Sequence, residues 1–228
     1  MKFDIFTFDV LNSTNDTAKN YPVGSVILAK EQLAGRGRMG RHWQSDRGNL
    51  FLSVVVPDFK DKTPLLSFLA AVSVAKALDE FHPTLKWPND VLINNKKVCG
   101  ILLEQADNGI IIGIGLNIIP PARTHNFLYP VSSLNGAISV PKATECILKN
   151  LNLLIDQAKI DNFYTVLETW KNYACGLGKK MTVRLPNETL EGRFQSLDSN
   201  GRLCLTLSDG SIRKISAGDV FFKDNDYE

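Results

Sequence analysis

The sequence predicts an α+β protein ending in a small β module. Three observations point there. The strand-like segments 25–32 and 49–57 are joined by a glycine-rich loop rather than a crossover helix, helical patterns are gathered at 64–81 and 141–175, and residues 181–222 form short strands broken by the turn signals Ser-Asn-Gly and Ser-Asp-Gly. With 228 residues, 44% of them hydrophobic and 22% charged, the chain has apolar material for one large domain, or one domain plus a small module. That content argues against a disordered chain. No run approaches the ~20 apolar residues of a transmembrane helix. The opening MKFDIFTFDV sets acids among alternating apolar residues instead of a basic end before an apolar block, so a cytoplasmic protein without membrane contact is expected.

In chain order, FDIFTFDV has the aromatic and β-branched content of a strand. In LNSTNDTAKNYP, Ser13 or Thr14 suits a helix N-cap, Asp16 its first turn, and Pro22 its end. SVILAKEQ leads into the glycine-rich loop and NLFLSVVVP leads out of it. Over 64–81, Leu65, Phe68, Leu69, Val72, Ala75 and Leu78 fall on one helical face. The segments DVLIN and KVCGILLEQ form a hairpin around Asn94 and Asn95, followed by the apolar strand GIIIGIGLNI. Two helices are expected at 141–159 and 162–175, before the glycines of CGLGKK break the pattern. In the tail, the turn spacing fits a small β-barrel or a bare three-stranded sheet. Cys99, Cys146, Cys175 and Cys204 contain no C-x-x-C pair and read as buried thiols rather than a zinc site or a disulfide framework.

The loop carries the charge. Arg36, Arg38, Arg41 and Arg47 against Asp46 leave +3 on Gly35–Gly48, in a chain whose net charge is +2. Its GRGRMG core has the G-x-G-x-x-G spacing of a dinucleotide fingerprint, but only eight residues separate Gly40 from the next strand at Asn49, too few for the required helix. A Walker loop fails on chemistry, since Arg41 and His42 stand where its lysine and Ser or Thr belong. A kinase-type loop lacks its downstream partners. What remains is a flap whose glycines allow close approach and whose guanidinium groups grip carboxylate or phosphate oxygens. Mutual repulsion of the arginines predicts mobility when empty and order with an anion bound. On charge and glycine alone, a solvated or nucleic-acid-binding loop fits as well.

Two further stretches favour the flap. KWPNDVLINNKKVCGILLE at 86–104 and GIGLNI at 113–118, together with AGRGRMGRHW and the early NSTN, in this order and spacing, resemble the biotin protein ligases across essentially the whole chain. The resemblance implies a mixed β-sheet with flanking helices, class II aminoacyl-tRNA synthetase-like, plus a small C-terminal SH3-like β-barrel. It divides the chain into a catalytic biotin- and ATP-binding domain at 1–178 and the β module at 179–228. Some members also carry an N-terminal helix-turn-helix domain and repress the biotin operon. Here the first strand begins at residue 3, so the monofunctional kind without DNA binding is expected. Met39 departs from relatives with another basic residue there.

The reaction so implied is attack of the biotin carboxylate on the α-phosphorus of ATP, giving biotinyl-5′-AMP and pyrophosphate, followed by transfer of biotin to a lysine of the biotin carboxyl carrier protein domain of acetyl-CoA carboxylase. Joining two anions calls for fixed cations and Mg2+, with no protein metal ligands assigned. By resemblance Lys97, Arg38 and Asp90 are catalytic: Lys97 bridges carboxylate and α-phosphate, Arg38 holds the same end, and Asp90 helps position the acceptor amine. Ser13, Thr14, Asn15, Gln32, Arg36, Gly37 and Gly100 join Arg38 and Lys97 on the biotin side. Arg41, Trp43, Asn89 and Asn117 fall on the ATP side. Each group also has a purely structural explanation: Ser13 and Thr14 as a helix cap, Trp43 as core, and Pro88, Asn89 and Asp90 as a turn. The oligomer is a monomer or a homodimer. Rival functions are a lipoate- or octanoate-protein ligase or transferase of the same superfamily, and a non-catalytic biotin-binding module, which has no need of α-phosphate stabilisation.

Overall fold

Strand β3 (Leu50–Val56) is buried along its whole length and divides the molecule into layers. Leu50, Leu52, Val54 and Val56 point into the main core, while Val55 joins Ile27, Ile111 and Ala18 in a smaller cluster on the other face, as the two-residue period of a strand requires. This computed structural model describes residues 1–121 and 130–222.

Seven strands make the large sheet: β1 (Asp4–Leu11), β2 (Ser25–Gln32), β3, β4 (Thr84–Lys86), β5 (Asp90–Ile93), β6 (Lys96–Ala106) and β7 (Gly109–Leu116), in the order β1-β2-β3-β7-β6-β5-β4. β1 runs parallel to β2 across the short helix α1 (Thr14–Ala18), and every other neighbouring pair is antiparallel, so the sheet is mixed. Asn94 and Asn95 turn β5 into β6 with φ of 49° and 60°, the left-handed geometry that a two-residue hairpin favours.

Helix α2 (Leu66–Ala77) lies on the main-core face and is flanked by short 3-10 turns at Lys60–Leu65 and Asp79–Phe81. It differs from the single apolar face expected for it: Ala70, Ala71, Ser73 and Val74 are buried as well. The reason is a second helical layer, α3 (Val140–Asp161) and α4 (Tyr164–Tyr173), which covers the side of α2 turned away from the sheet. Ser139 caps α3 by accepting from Lys142 N, and Asn162 ends it in the left-handed region.

The tail folds as five antiparallel strands, more than a bare three-stranded sheet: β8 (Lys180–Arg184), β9 (Thr189–Leu197), β10 (Leu203–Thr206), β11 (Ile212–Ile215) and β12 (Asp219–Phe221), in the order β11-β10-β9-β8-β12. It seats on the helices through the Trp170 ring, 5.4 Å from Phe68 and 6.4 Å from Phe194. Trp87 Nε1 also donates to the Gly201 carbonyl at 3.0 Å. Cys99, Cys175 and Cys204 are buried, and burial pushes the Cys175 thiol up to about 12. Cys146 corrects the expectation of four buried thiols: it is only half-buried, within α3. Among the described residues no helix is long and apolar enough to cross a membrane.

Candidate active site

The cleft is built on three glycines of the sheet face opposite α2. Register pairs Gly100 of β6 with Gly115 of β7, and Gly113 with Ser53 of β3, so all three share that face. A Cβ at Gly115 would stand 2.4 Å from the Trp43 ring, one at Gly100 2.9 Å from it, and one at Gly113 2.4 Å from Asn15 Oδ1. The missing side chains are what let Trp43 and α1 lie directly on the sheet.

At the α1 end sits a chain of polar groups. Thr14 N and Oγ1 both donate to Gln32 Oε1, at 2.8 and 3.0 Å, and Gln32 Nε2 donates to Ser45 Oγ at 3.0 Å. Ser53, wholly buried, lies 2.8 Å from Thr14 Oγ1 and 2.6 Å from Asn15 Oδ1. Asn15 Nδ2 donates to Glu104 at 2.6 Å, so both ends of that amide are held by protein. Ser13 Oγ caps α1 through Asp16 N at 3.4 Å while the residue also borders the cleft.

The arginine loop closes the cleft from above. It folds back on itself: Gly37 N donates to Arg41 O, Trp43 N to Gly35 O, and Arg36 bridges His42. Within the loop only the short turn Arg38–Gly40 is helical, so the loop itself opens no helix of the kind a dinucleotide fingerprint needs. Gly35 has no room for a side chain, since a Cβ would stand 2.5 Å from Ser45 Oγ. The concentrated positive charge is met by acids from distant parts of the chain. Arg36 pairs with Asp16 at 2.7 Å and Glu104 at 3.3 Å, Arg41 with Asp219 at 2.7 Å, and Arg47 with Asp9 and Glu31 at 2.7 and 3.0 Å. Arg38 Nη1 reaches the Asn89 amide oxygen at 3.2 Å. The Arg36 guanidinium holds the Asp16 carboxyl well below the usual carboxylate range. Met39, largely exposed at φ 56°, accepts from Arg41 through its sulfur at 3.2 Å.

Across the cleft, Lys97 Nζ stands 2.6 Å from Asp90 Oδ1 and 5.4 Å from the Trp43 ring centroid. A bulge between Val91 and Leu92 in the β5–β6 ladder produces this. Register pairs Asp90 with Gly100 but Leu92 with Lys97, which turns Lys97 onto the face of Gly100. Asn89 Nδ2 donates to Ile101 O and Asn117 Nδ2 to Ser132 O, fixing both buried amides.

Every residue assigned from the sequence to catalysis, biotin or ATP borders this one cleft. Ser13, Thr14, Asn15 and Gln32 form one end, Arg36, Gly37, Arg38, Arg41 and Trp43 the cover, and Asn89, Asp90, Lys97, Gly100 and Asn117 the remaining wall and floor.

Similarity to known proteins decides what this cleft belongs to. Residues 7–117 match the model of the biotin/lipoate A/B protein ligase family, and residues 176–223 that of the biotin protein ligase C-terminal domain. A biotin--[acetyl-CoA-carboxylase] ligase of Paracoccus denitrificans is 32% identical, over 92% of this chain and 97% of that one. The chain belongs to the biotin protein ligase family. A bifunctional ligase/repressor of Bacillus subtilis is 36% identical, over 93% of this chain and 72% of its own length. The fold matches the biotin protein ligase of Aquifex aeolicus, solved in complex with biotin and ATP, with a TM-score of 0.83 at 26% identity, covering 96% of this chain and 97% of that chain.

In this biotin protein ligase family member the sequence reading missed Lys86 and Asp219 on the cleft lining, and Ser53 and Glu104, which hold Thr14 and Asn15 from behind it. Ser53 announces itself only as the single polar residue in an apolar strand, and Glu104 as one acid near the end of another. Lys86, at the head of Lys-Trp-Pro-Asn-Asp, is 3% exposed, and burial brings its ammonium down to about 8. Asp219 reaches the cleft from the C-terminal sheet, which no local pattern signals.

Proposed function

We propose that the chain activates biotin with MgATP to biotinyl-5′-AMP and transfers biotin to a lysine of a biotin carboxyl carrier domain, as found in acetyl-CoA carboxylase. The observation that carries this is the convergence on one cleft of a neutral polar network at α1, a cationic cover, and Lys97 facing it from β6. Donors and acceptors around Thr14 and Gln32 suit the uncharged ureido ring, and Arg38 with Lys97 suits the carboxylate. Asn15 serves best as the brace of α1, its amide being already engaged.

In the first step a carboxylate oxygen of biotin forms the new bond to the α-phosphorus, and the bond to pyrophosphate breaks. Charge grows on the leaving group and the phosphoryl oxygens, where Lys97 and the loop arginines stabilise it better than water does because they are already in place. Magnesium enters with the nucleotide, as MgATP. In the second step the acceptor amine attacks the acyl carbon, AMP leaves, and Asp90 lies beside the reacting atoms as the group to orient the amine.

The test mixes the protein with ATP, magnesium, biotin and a carrier domain, and probes the carrier with streptavidin. Biotin on the carrier lysine is expected. Transfer of lipoate or octanoate instead, or binding of biotin without transfer, would replace this function with one of the two rivals.

A further inference from the structure

Lys86 ends β4 between two core residues, Leu85 and Trp87, so strand parity turns it onto the other face of the sheet, where it borders the cleft. Register carries that row inward: Lys86 pairs with Asp90, Asp90 with Gly100, and Gly100 with Gly115. Lys97 lies over the same row. A Cβ on Gly100 would stand 3.2 Å from Lys97 Nζ, and that ammonium holds Asp90 Oδ1 at 2.6 Å. Asp90 thus faces one lysine from each neighbouring strand, Lys97 of β6 and Lys86 of β4. The charged and titratable groups around Lys86 are Asp90, Lys97, Asp219 of β12 and the Cys175 thiol that follows α4.

The sum of these charges decides what the row can do. Asp90 and Lys97 alone form a neutral pair, which attracts an anion poorly however well it is placed. With Lys86 the three groups carry +1. We propose that Lys86 is a positioning residue that acts through Asp90: it offsets that carboxylate, so the tether that places Lys97 does not cancel the Lys97 charge toward the biotin carboxylate and the α-phosphate. This rests on the ligase function above. In a cleft shielded from water, one compensating charge is felt far more strongly than at an open surface. Two other roles differ in what they predict. A lysine that gripped the phosphates itself would cost as much to lose without Asp90 as with it. A lysine that only packed β4 would leave the pH dependence of the reaction where it was.

The experiment is biotin-dependent pyrophosphate exchange in the full chain, followed across the neutral and alkaline range. In Lys86→Met the kcat/KM for ATP at neutral pH is expected to fall about 10-fold, less than the ~10²-fold or more for loss of Lys97, because Lys86 acts at one remove. The wild-type profile of kcat/KM should carry a descending limb near pH 8, where burial makes Lys86 give up its proton, and Lys86→Met should lack that limb. In an Asp90→Asn background Lys86→Met should cost less than about twofold, since the charge to be offset is gone. A circular dichroism spectrum matching wild type separates this loss from misfolding. Full activity in Lys86→Met, an alkaline limb that persists in it, or an equal loss in the Asp90→Asn background overturns the proposal. A wild-type chain lacking biotin-dependent exchange overturns the ligase function, and the role of Lys86 with it.

Discussion

Lys97 Nζ lies 2.6 Å from Asp90 Oδ1, with side chains 20% and 10% exposed. The carboxylate therefore sets where the ammonium stands before any ligand arrives. Lys97→Ala is expected to slow biotinyl-AMP formation by ~10²-fold or more, as removal of an electrostatic stabiliser does. Asp90→Asn should slow adenylation as well as transfer, since Lys97 loses its tether. Pyrophosphate exchange isolates the first step. A normal exchange rate in Asp90→Asn would confine Asp90 to the acceptor amine.

Gly115 bears the weight of the Trp43 ring, and a Cβ there meets it at 2.4 Å. A packed ring does not yield such space without shifting. Gly115→Ala should keep its circular dichroism spectrum and lose more than about 10-fold in kcat/KM for ATP. Activity near wild type would show that Trp43 moves aside freely.

Asp16 ties α1 to the loop through Arg36, and its carboxyl titrates below the ordinary range for that reason. A depressed folded pKa gives stability that is complete above the unfolded value of ~3.9 and is lost as pH falls toward the folded one. Thermal unfolding followed from about pH 6 downward should therefore show a shallower acid limb below ~pH 4 in Asp16→Asn than in wild type. Parallel limbs would mean that the pair stabilises nothing.

Lys86 behaves in the opposite pH range. Burial lowers it from 10.5 to about 8, so between those values the unfolded chain binds more protons than the folded one, and stability rises with pH across that window. Below about 8 the buried charge costs on the order of 3 kcal/mol, at ~1.4 kcal/mol per pKa unit. Lys86→Met is expected to melt higher than wild type at pH 7, with the gap closing from about pH 8 toward 10.5, while pyrophosphate exchange falls. A variant that melts lower at pH 7 would show that Lys86 stabilises the fold.

The periodic elements are legible in the sequence, because strand alternation and turn or cap chemistry are local: Ser13 caps the helix that begins after it, and Asn94 and Asn95 turn the hairpin. The sequence also exposed the short motifs of the cleft, since loops and turns of unusual composition stand out in one dimension. Tertiary structure decided what those residues touch. Residue parity puts Lys97 and Gly100 on opposite faces of a regular strand, and only the bulge at the β5–β6 ladder brings them together. The loop arginines read as a repelling cluster until the fold supplies Asp16, Glu104 and Asp219 from three separate elements. Helix α2 reads as one-sided until α3 and α4 cover its other side. In each case the deciding partner lies far along the chain, where no local spacing records it.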